Sequence, residues 1–217
     1  MTSASWLDLA FVLVVLVDFY LLASSRLPAA TRAVALQGAV LSAPPLLLAG
    51  GGHDPEHMLL LSAGALLVKA VLIPWLMFRA IRETAVRREV EPFVTPVTSM
   101  VLGAAGVAAA FALSRSLPLP SGGQHPFLVP TALGTVWVGL LLMVSRKEAV
   151  SQVLGFLVLE NGVFLFGLLL SDVMPVMVEA GVLLDLLAAV FVMGIVMFDI
   201  QRELASLDTQ KLQRLRD

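Results

Sequence analysis

Three carboxylates sit within two hydrophobic runs near the end of the chain: Glu160 in VLGFLVLENGVFLFGLLLS, and Glu179 and Asp185 in PVMVEAGVLLDLLAAVFVMGIVMF. An ionisable side chain at bilayer depth costs roughly 2.5–3.5 kcal/mol even on the lenient insertion scale. Leu would have avoided that cost at each position. Acids so placed face a protein interior or a water-filled path as a rule, and the chemistry they offer there is proton relay. A base lies at comparable depth, Lys69 in SAGALLVKAVLIPW, with Pro74 just over one turn later. Asp18 lies in the first apolar run, and Asp8 nearer its outer edge. Acids and a base at matched depth are what a path of paired titratable groups requires. Glu179 and Asp185 are separated by about 9 Å of rise and roughly 240° of turn, so they face different neighbours.

Each group also has a purely structural reading. Glu160 and Lys69 could pair with a neighbouring helix or a backbone carbonyl to hold a bundle together. Asp8 reads as an interface residue and Asp199 as a cap at the cytoplasmic end of the last span. Asp18 divides evenly between path and scaffold.

The elements that must position these residues are membrane helices. Hydrophobic residues make up 59% of the chain and charged residues 14%, against about 25% charged in a typical soluble protein. Apolar stretches of bilayer length recur from end to end, which predicts an all-α polytopic membrane protein with about seven spans. They are expected near 6–23, 33–49, 58–78, 93–113, 127–144, 150–170 and 173–198. The second is short and carries Pro44-Pro45, tolerated in a membrane only where neighbours satisfy the freed carbonyls. Pro/Gly clusters such as GGGHDPEH and LPLPSGGQHP mark loops. MTSASWLDLAF lacks a basic leader and reads as the start of the first span.

Lys and Arg distribute unevenly between alternate loops. Arg26, Arg32, Arg79, Arg82, Arg87, Arg88, Arg146, Lys147, Arg202, Lys211, Arg214 and Arg216 fall on one side, and Arg115 on the other. The positive-inside rule then places the N-terminus outside and the C-terminus in the cytoplasm. The polar segment 201–217, with Leu204, Leu207, Leu212 and Leu215, reads as a cytoplasmic tail, either docked on a partner or solvated.

Several chemistries are excluded. With no Cys, the chain cannot hold a cysteine-ligated iron–sulfur cluster, a thiolate metal site or a disulfide of its own. His53, His57 and His125 lack the spacing partners of a metal site. Met174, Met177, Met193 and Met197 read as adaptable packing. GAAG at 103–106 is a small-residue stripe inside a span and not a phosphate cradle. No nucleophile–base arrangement and no nucleic-acid patch is present, so the chain has no catalytic centre of its own to offer.

The runs SAGALLVKAVLIPWLMFRAIRE, LGFLVLENGVFLFGLLL, VEAGVLLDLLAAVFVMGI and SLDTQKLQRLRD, in that order and spacing, resemble the hydrogenase-4 component E family. Spans five to seven are also similar to the three-helix K subunit of respiratory complex I. There a membrane-embedded glutamate of the second helix corresponds to Glu160, and a second acid on the third helix corresponds to Glu179 by type or to Asp185 by depth. The division implied is a four-helix region at 1–115, a K-subunit-like region at 116–200 and a tail at 201–217.

The resemblance implies a small membrane-arm subunit of an energy-converting hydrogenase complex in the bacterial cytoplasmic membrane. Its partners would be antiporter-like membrane subunits and a hydrogenase-type redox arm. The nickel–iron centre and iron–sulfur clusters would belong to those partners and no cofactor to this chain. Glu160 and Glu179 or Asp185 would lie on a proton or sodium path; the reading by depth adds Lys69 to that path and leaves Asp18 a candidate for it. Two other classes remain as alternatives: a self-contained secondary transporter, which the lack of an inverted repeat disfavours, and a structural membrane scaffold.

Overall fold

The computed structural model describes residues 3–44, 59, 62–83, 93–117, 126–170 and 194. The expected span 173–198, with Glu179, Asp185 and Asp199, lies outside the described residues apart from Gly194, as do the tail and the three histidines. Six helices account for most of what is described: α1 (Ser3–Ala23), α2 (Leu27–Leu41), α3 (Ile73–Glu83), α4 (Pro96–Ser114), α5 (Leu128–Ser145) and α6 (Ala149–Leu170). A π-helical segment, Leu66–Leu72, runs directly into α3.

Without water to take up backbone N–H and C=O groups, an apolar run must satisfy them within itself, and a helix does so. Among the described residues, five stretches are long and apolar enough to cross a membrane: Trp6–Ala23, Ser62–Arg82, Pro96–Ser114, Leu128–Ser145 and Ala149–Leu168. Their bounds match the expected spans within a few residues. The second expected span differs. Its helix begins six residues earlier, because Pro28 sits in its first turn, where the missing N–H costs nothing and the fixed φ favours entry. Arg32, expected in a loop, is therefore an exposed helical residue. At fifteen residues α2 is about 22 Å long, short of a hydrocarbon core of about 30 Å. α4 starts at Pro96 behind Thr95, whose hydroxyl accepts from the Thr98 N–H at 3.3 Å.

The outer faces are apolar. On α1, Leu9, Val12, Leu16 and Tyr20 recur at helical spacing and are about half exposed or more. Such a face suits lipid or another apolar surface and not water. Inside, α5 and α6 lie almost backbone to backbone. A Cβ on Gly139 would come within 2.3 Å of the Leu159 nitrogen, and one on Gly162 within 2.7 Å of the Val136 nitrogen. Small residues permit this approach, and dispersion over the long seam holds it, since burial from lipid supplies no hydrophobic gain. α4 packs through the same device: Gly103 leaves room for Leu22 and Gly106 for Trp137, whose indole N–H donates to the Leu102 carbonyl at 3.1 Å.

The interior divides into two apolar clusters. One holds Leu21, Leu22, Leu27, Ile81, Leu142 and Val150 among others. The second holds Leu7, Phe11, Leu41, Ala65, Leu128 and Phe164. Following each helix from one cluster to the other crosses a buried polar residue at or near the boundary: Asp18 in α1, Gln37 in α2, Lys69 in the π segment, Thr135 in α5, and Glu160 and Asn161 in α6. Five elements, α1, α2, the π segment, α5 and α6, thus contribute to one polar layer between two apolar ones.

Candidate functional site: a buried lysine–carboxylate layer

Lys69 owes its position to local backbone chemistry. Pro74 has no N–H to donate to the Ala70 carbonyl, and in a regular α-helix its ring would clash with that carbonyl. The helix answers with the wider register over Leu66–Leu72, closed by the Ile73 N–H on the Val68 carbonyl. Single π turns of this kind recur at functional sites because they re-aim side chains. Lys69 is also the buried residue of that segment. Across from it α2 carries Gly38, where a Cβ would stand 2.7 Å from the Lys69 Cβ. Only a residue without a side chain lets α2 approach so closely.

The Lys69 ammonium is held by consecutive residues of α6. Nζ donates to Glu160 Oε1 at 2.5 Å and to Asn161 Oδ1 at 3.1 Å. The Phe164 ring, one turn after Glu160, lies with its centroid 5.0 Å from Nζ and offers its negative face. Lys69 and Glu160 are buried to within 4% of complete enclosure. Two charges so enclosed are tolerated because each offsets the desolvation of the other and neighbouring dipoles take up remaining hydrogen-bonding capacity.

The network continues away from this pair. Asn161 Nδ2 donates to Gln37 Oε1 at 3.1 Å, and Gln37 Nε2 donates to Asp18 Oδ1 at 2.8 Å. The other Asp18 oxygen accepts from the Thr135 hydroxyl at 2.7 Å. Asp18, Gln37 and Thr135 have no exposed surface.

Of the residues singled out from the sequence, Glu160, Lys69 and Asp18 are therefore brought into one connected cluster. Asp8 stands ten residues before Asp18, about 15 Å along the α1 axis, beyond the layer. Glu179 and Asp185 lie outside the described residues. Gln37, Thr135 and Asn161 escaped sequence reasoning, which weighed charge at bilayer depth and passed over uncharged amides and hydroxyls. An isolated Gln in LPAATRAVALQGAVL and the Asn beside Glu160 were the available signals. Arg146 was read as a loop cation. It stands at the C-terminus of α5 but is buried, donating to the Leu22 carbonyl at 3.0 Å and the Ser24 carbonyl at 3.3 Å. It thereby satisfies orphan carbonyls at the end of α1 and complements that helix's dipole.

The pair Lys69–Glu160 can hold a proton on either member. Transfer from ammonium to carboxylate along the hydrogen bond converts two opposite charges into a neutral amine and a neutral acid, so neither state leaves a net charge on the pair in the apolar interior. A proton entering or leaving the pair does change its charge, which makes it sensitive to charges moving nearby. Among the described residues no group of His, Cys, Asp or Glu has the arrangement of a metal site.

No family model and no solved structure matches the chain. Curated proteins do. The uncharacterized protein Rv0085 of Mycobacterium tuberculosis is 37% identical over 193 residues, covering 88% of this chain and 87% of its own length. Hydrogenase-4 component E of Escherichia coli K12 is 32% identical over 162 residues, 74% of this chain and 74% of that protein, and the protein of the same description from Shigella flexneri matches equally. With similarity at this level over three quarters of both proteins, the chain belongs to the hydrogenase-4 component E family.

Proposed function

We propose that this protein is a small membrane subunit of a complex I-related energy-converting hydrogenase complex, formate hydrogenlyase or a similar assembly. In this reading it contributes buried titratable groups to proton or sodium translocation driven by redox chemistry in partner subunits. It spans the bacterial cytoplasmic membrane seven times, N-terminus outside, and packs beside antiporter-like subunits. The nickel–iron and iron–sulfur groups belong to the redox arm, in keeping with a chain that has no cysteine. Glu179 and Asp185 supply the continuation of the path.

The observation that carries the reading is the Lys69–Glu160 pair, 2.5 Å apart and enclosed between two apolar clusters. Hydrophobic residues of equal volume would hold these helices together as well or better, since replacing a buried ion pair by packed apolar groups is often neutral or stabilising. A titratable pair in this place is explained by a charge that must move.

Glu160→Gln tests it. The amide keeps the volume and an acceptor for Lys69 but cannot ionise. The variant complex should assemble and pass electrons to an artificial acceptor. Its gradient formation in proteoliposomes should fall by about a hundredfold, the low end of what losing a positioned proton carrier costs. An assembled Glu160→Gln complex that builds a full gradient assigns the pair to scaffolding.

A further inference from the structure

We propose that Asp18, with Thr135 and Gln37, is a second proton-carrying site in the layer, loaded and unloaded separately from the Lys69–Glu160 pair. The inference rests on the translocation reading above and adds a site to it.

The hydrogen-bond partners of Asp18 are uncharged. Oδ1 accepts from the Gln37 amide N–H at 2.8 Å and Oδ2 from the Thr135 hydroxyl at 2.7 Å, all three side chains being fully buried. α2, α4 and α5 pack against α1. Neither α4 nor α5 carries a titratable residue within Pro96–Ser114 or Leu128–Ser145, and Arg32 of α2 is exposed. On α1 itself Tyr20 is half exposed and Asp8 is ten residues away. Arg146 serves the Leu22 and Ser24 carbonyls, more than one turn nearer the end of α1. Lys69 and Glu160 stand beyond the two amides of Gln37 and Asn161. Among the described residues an ionised Asp18 thus has donors but no cation in contact, and burying a carboxylate without one is costly. An asparagine would avoid that cost. Its carbonyl would accept from Gln37 and its amide N–H would donate to Thr135, in nearly the same shape. A purely structural layer is served by the amide, and what the acid adds is the capacity to take up a proton.

The same partners satisfy both states of the acid. With Asp18 ionised, each oxygen accepts one hydrogen bond. With a proton from the translocated stream on Oδ2, Oδ1 still accepts from Gln37, so that amide keeps its orientation. Oδ2 then donates to the Thr135 oxygen, because a hydroxyl is donor and acceptor at once. The threonine hydrogen turns to a backbone carbonyl of the preceding turn, the acceptor that helical threonines use. Thr31 makes that bond to the Leu27 carbonyl at 2.9 Å. Uptake forms one O–H bond and raises the charge of the site by one, and release reverses both. The proton does not pass along the contacts to Lys69, since Gln37 and Asn161 would relay one only through an imidic acid form. Asp18 and the Lys69–Glu160 pair therefore load separately, with Gln37 and Thr135 as positioning residues.

Redox-triggered infrared difference spectroscopy of the assembled, membrane-reconstituted complex tests the site. The unmodified complex should show a carboxylic acid C=O band that vanishes in Asp18→Asn and persists in Glu160→Gln. Thr135→Val keeps the shape and removes the hydroxyl, and it should displace that band because the acid loses a hydrogen-bond partner. It identifies the band if Asp18→Asn fails to assemble. The Asp18→Asn complex should still pass electrons to an artificial acceptor while its gradient formation in proteoliposomes falls by about a hundredfold. An assembled Asp18→Asn complex with a full gradient, or a spectrum with no band that answers to Asp18 or Thr135, overturns the proposal. The two readings fail separately. A full gradient in Glu160→Gln with a lost one in Asp18→Asn removes the pair and keeps Asp18, whereas the opposite result removes Asp18 alone.

Discussion

Gly38→Ala is a one-carbon change whose outcome is decided by two opposed magnitudes. In an exposed helix interior, Ala is favoured over Gly by about 0.8–1.0 kcal/mol. At position 38 the added Cβ would lie 2.7 Å from the Lys69 Cβ and 3.2 Å from both the Lys69 carbonyl carbon and oxygen, where ordinary contact begins near 3.4 Å. All three atoms belong to the backbone or its first side-chain carbon, so no rotamer change relieves the clash. The π segment itself must retreat by several tenths of an ångström. Overpacking of this kind costs about 1–3 kcal/mol, enough to cancel the helix gain and leave a net loss of about 1 kcal/mol. The retreat also draws Lys69 away from Glu160 and Asn161, now at 2.5 and 3.1 Å. Misplacement by 1 Å can cost on the order of a hundredfold in a step that depends on alignment, so gradient formation should fall about tenfold. Gly64→Ala is the control, because no atom of the described residues lies within 4 Å of its added carbon. Thermal unfolding of the solubilised complex reads the first effect and proteoliposome gradient formation the second. A Gly38→Ala protein more stable than its parent, with an intact gradient, would refute the claim that this glycine sets the Lys69 position.

Lys69→Met should destabilise the assembled protein by about 3–5 kcal/mol, since it withdraws the ammonium from an enclosed carboxylate. Adding Glu160→Gln should recover much of that loss, and simple additivity in thermal unfolding would show the two do not act as a pair. Arg146→Met should cost about 2 kcal/mol by removing a charged donor from the Leu22 and Ser24 carbonyls, and denaturation that is unchanged would make the contact superfluous. Reporter fusions after Arg88 and Asp217 should report cytoplasm, and fusions near Gly52 and Gly122 periplasm. A cytoplasmic signal at Gly122 would break the seven-span topology.

Composition and run length determined the class by themselves. Continuous apolar runs of this length satisfy their backbone in a bilayer as helices, and five of the seven expected stretches are seen as long apolar helices among the described residues. The cost of burying charge likewise drew attention to Glu160, Lys69 and Asp18 from the one-dimensional pattern. Which charges meet was a different matter. Lys69 and Glu160 are ninety-one residues apart, and Asp18 and Thr135 one hundred and seventeen. Their contact depends on close approaches at Gly38 and along the α5–α6 seam that hydropathy does not record. The π turn ahead of Pro74 and the early start of α2 at Leu27 also lay below the resolution of apolar periodicity, because each arises from proline sterics acting on one or two hydrogen bonds. Gln37 and Asn161 show the limit most plainly. An uncharged amide in an apolar run looks like a tolerated exception, and only packing determines whether its two ends find a carboxylate, an ammonium or each other.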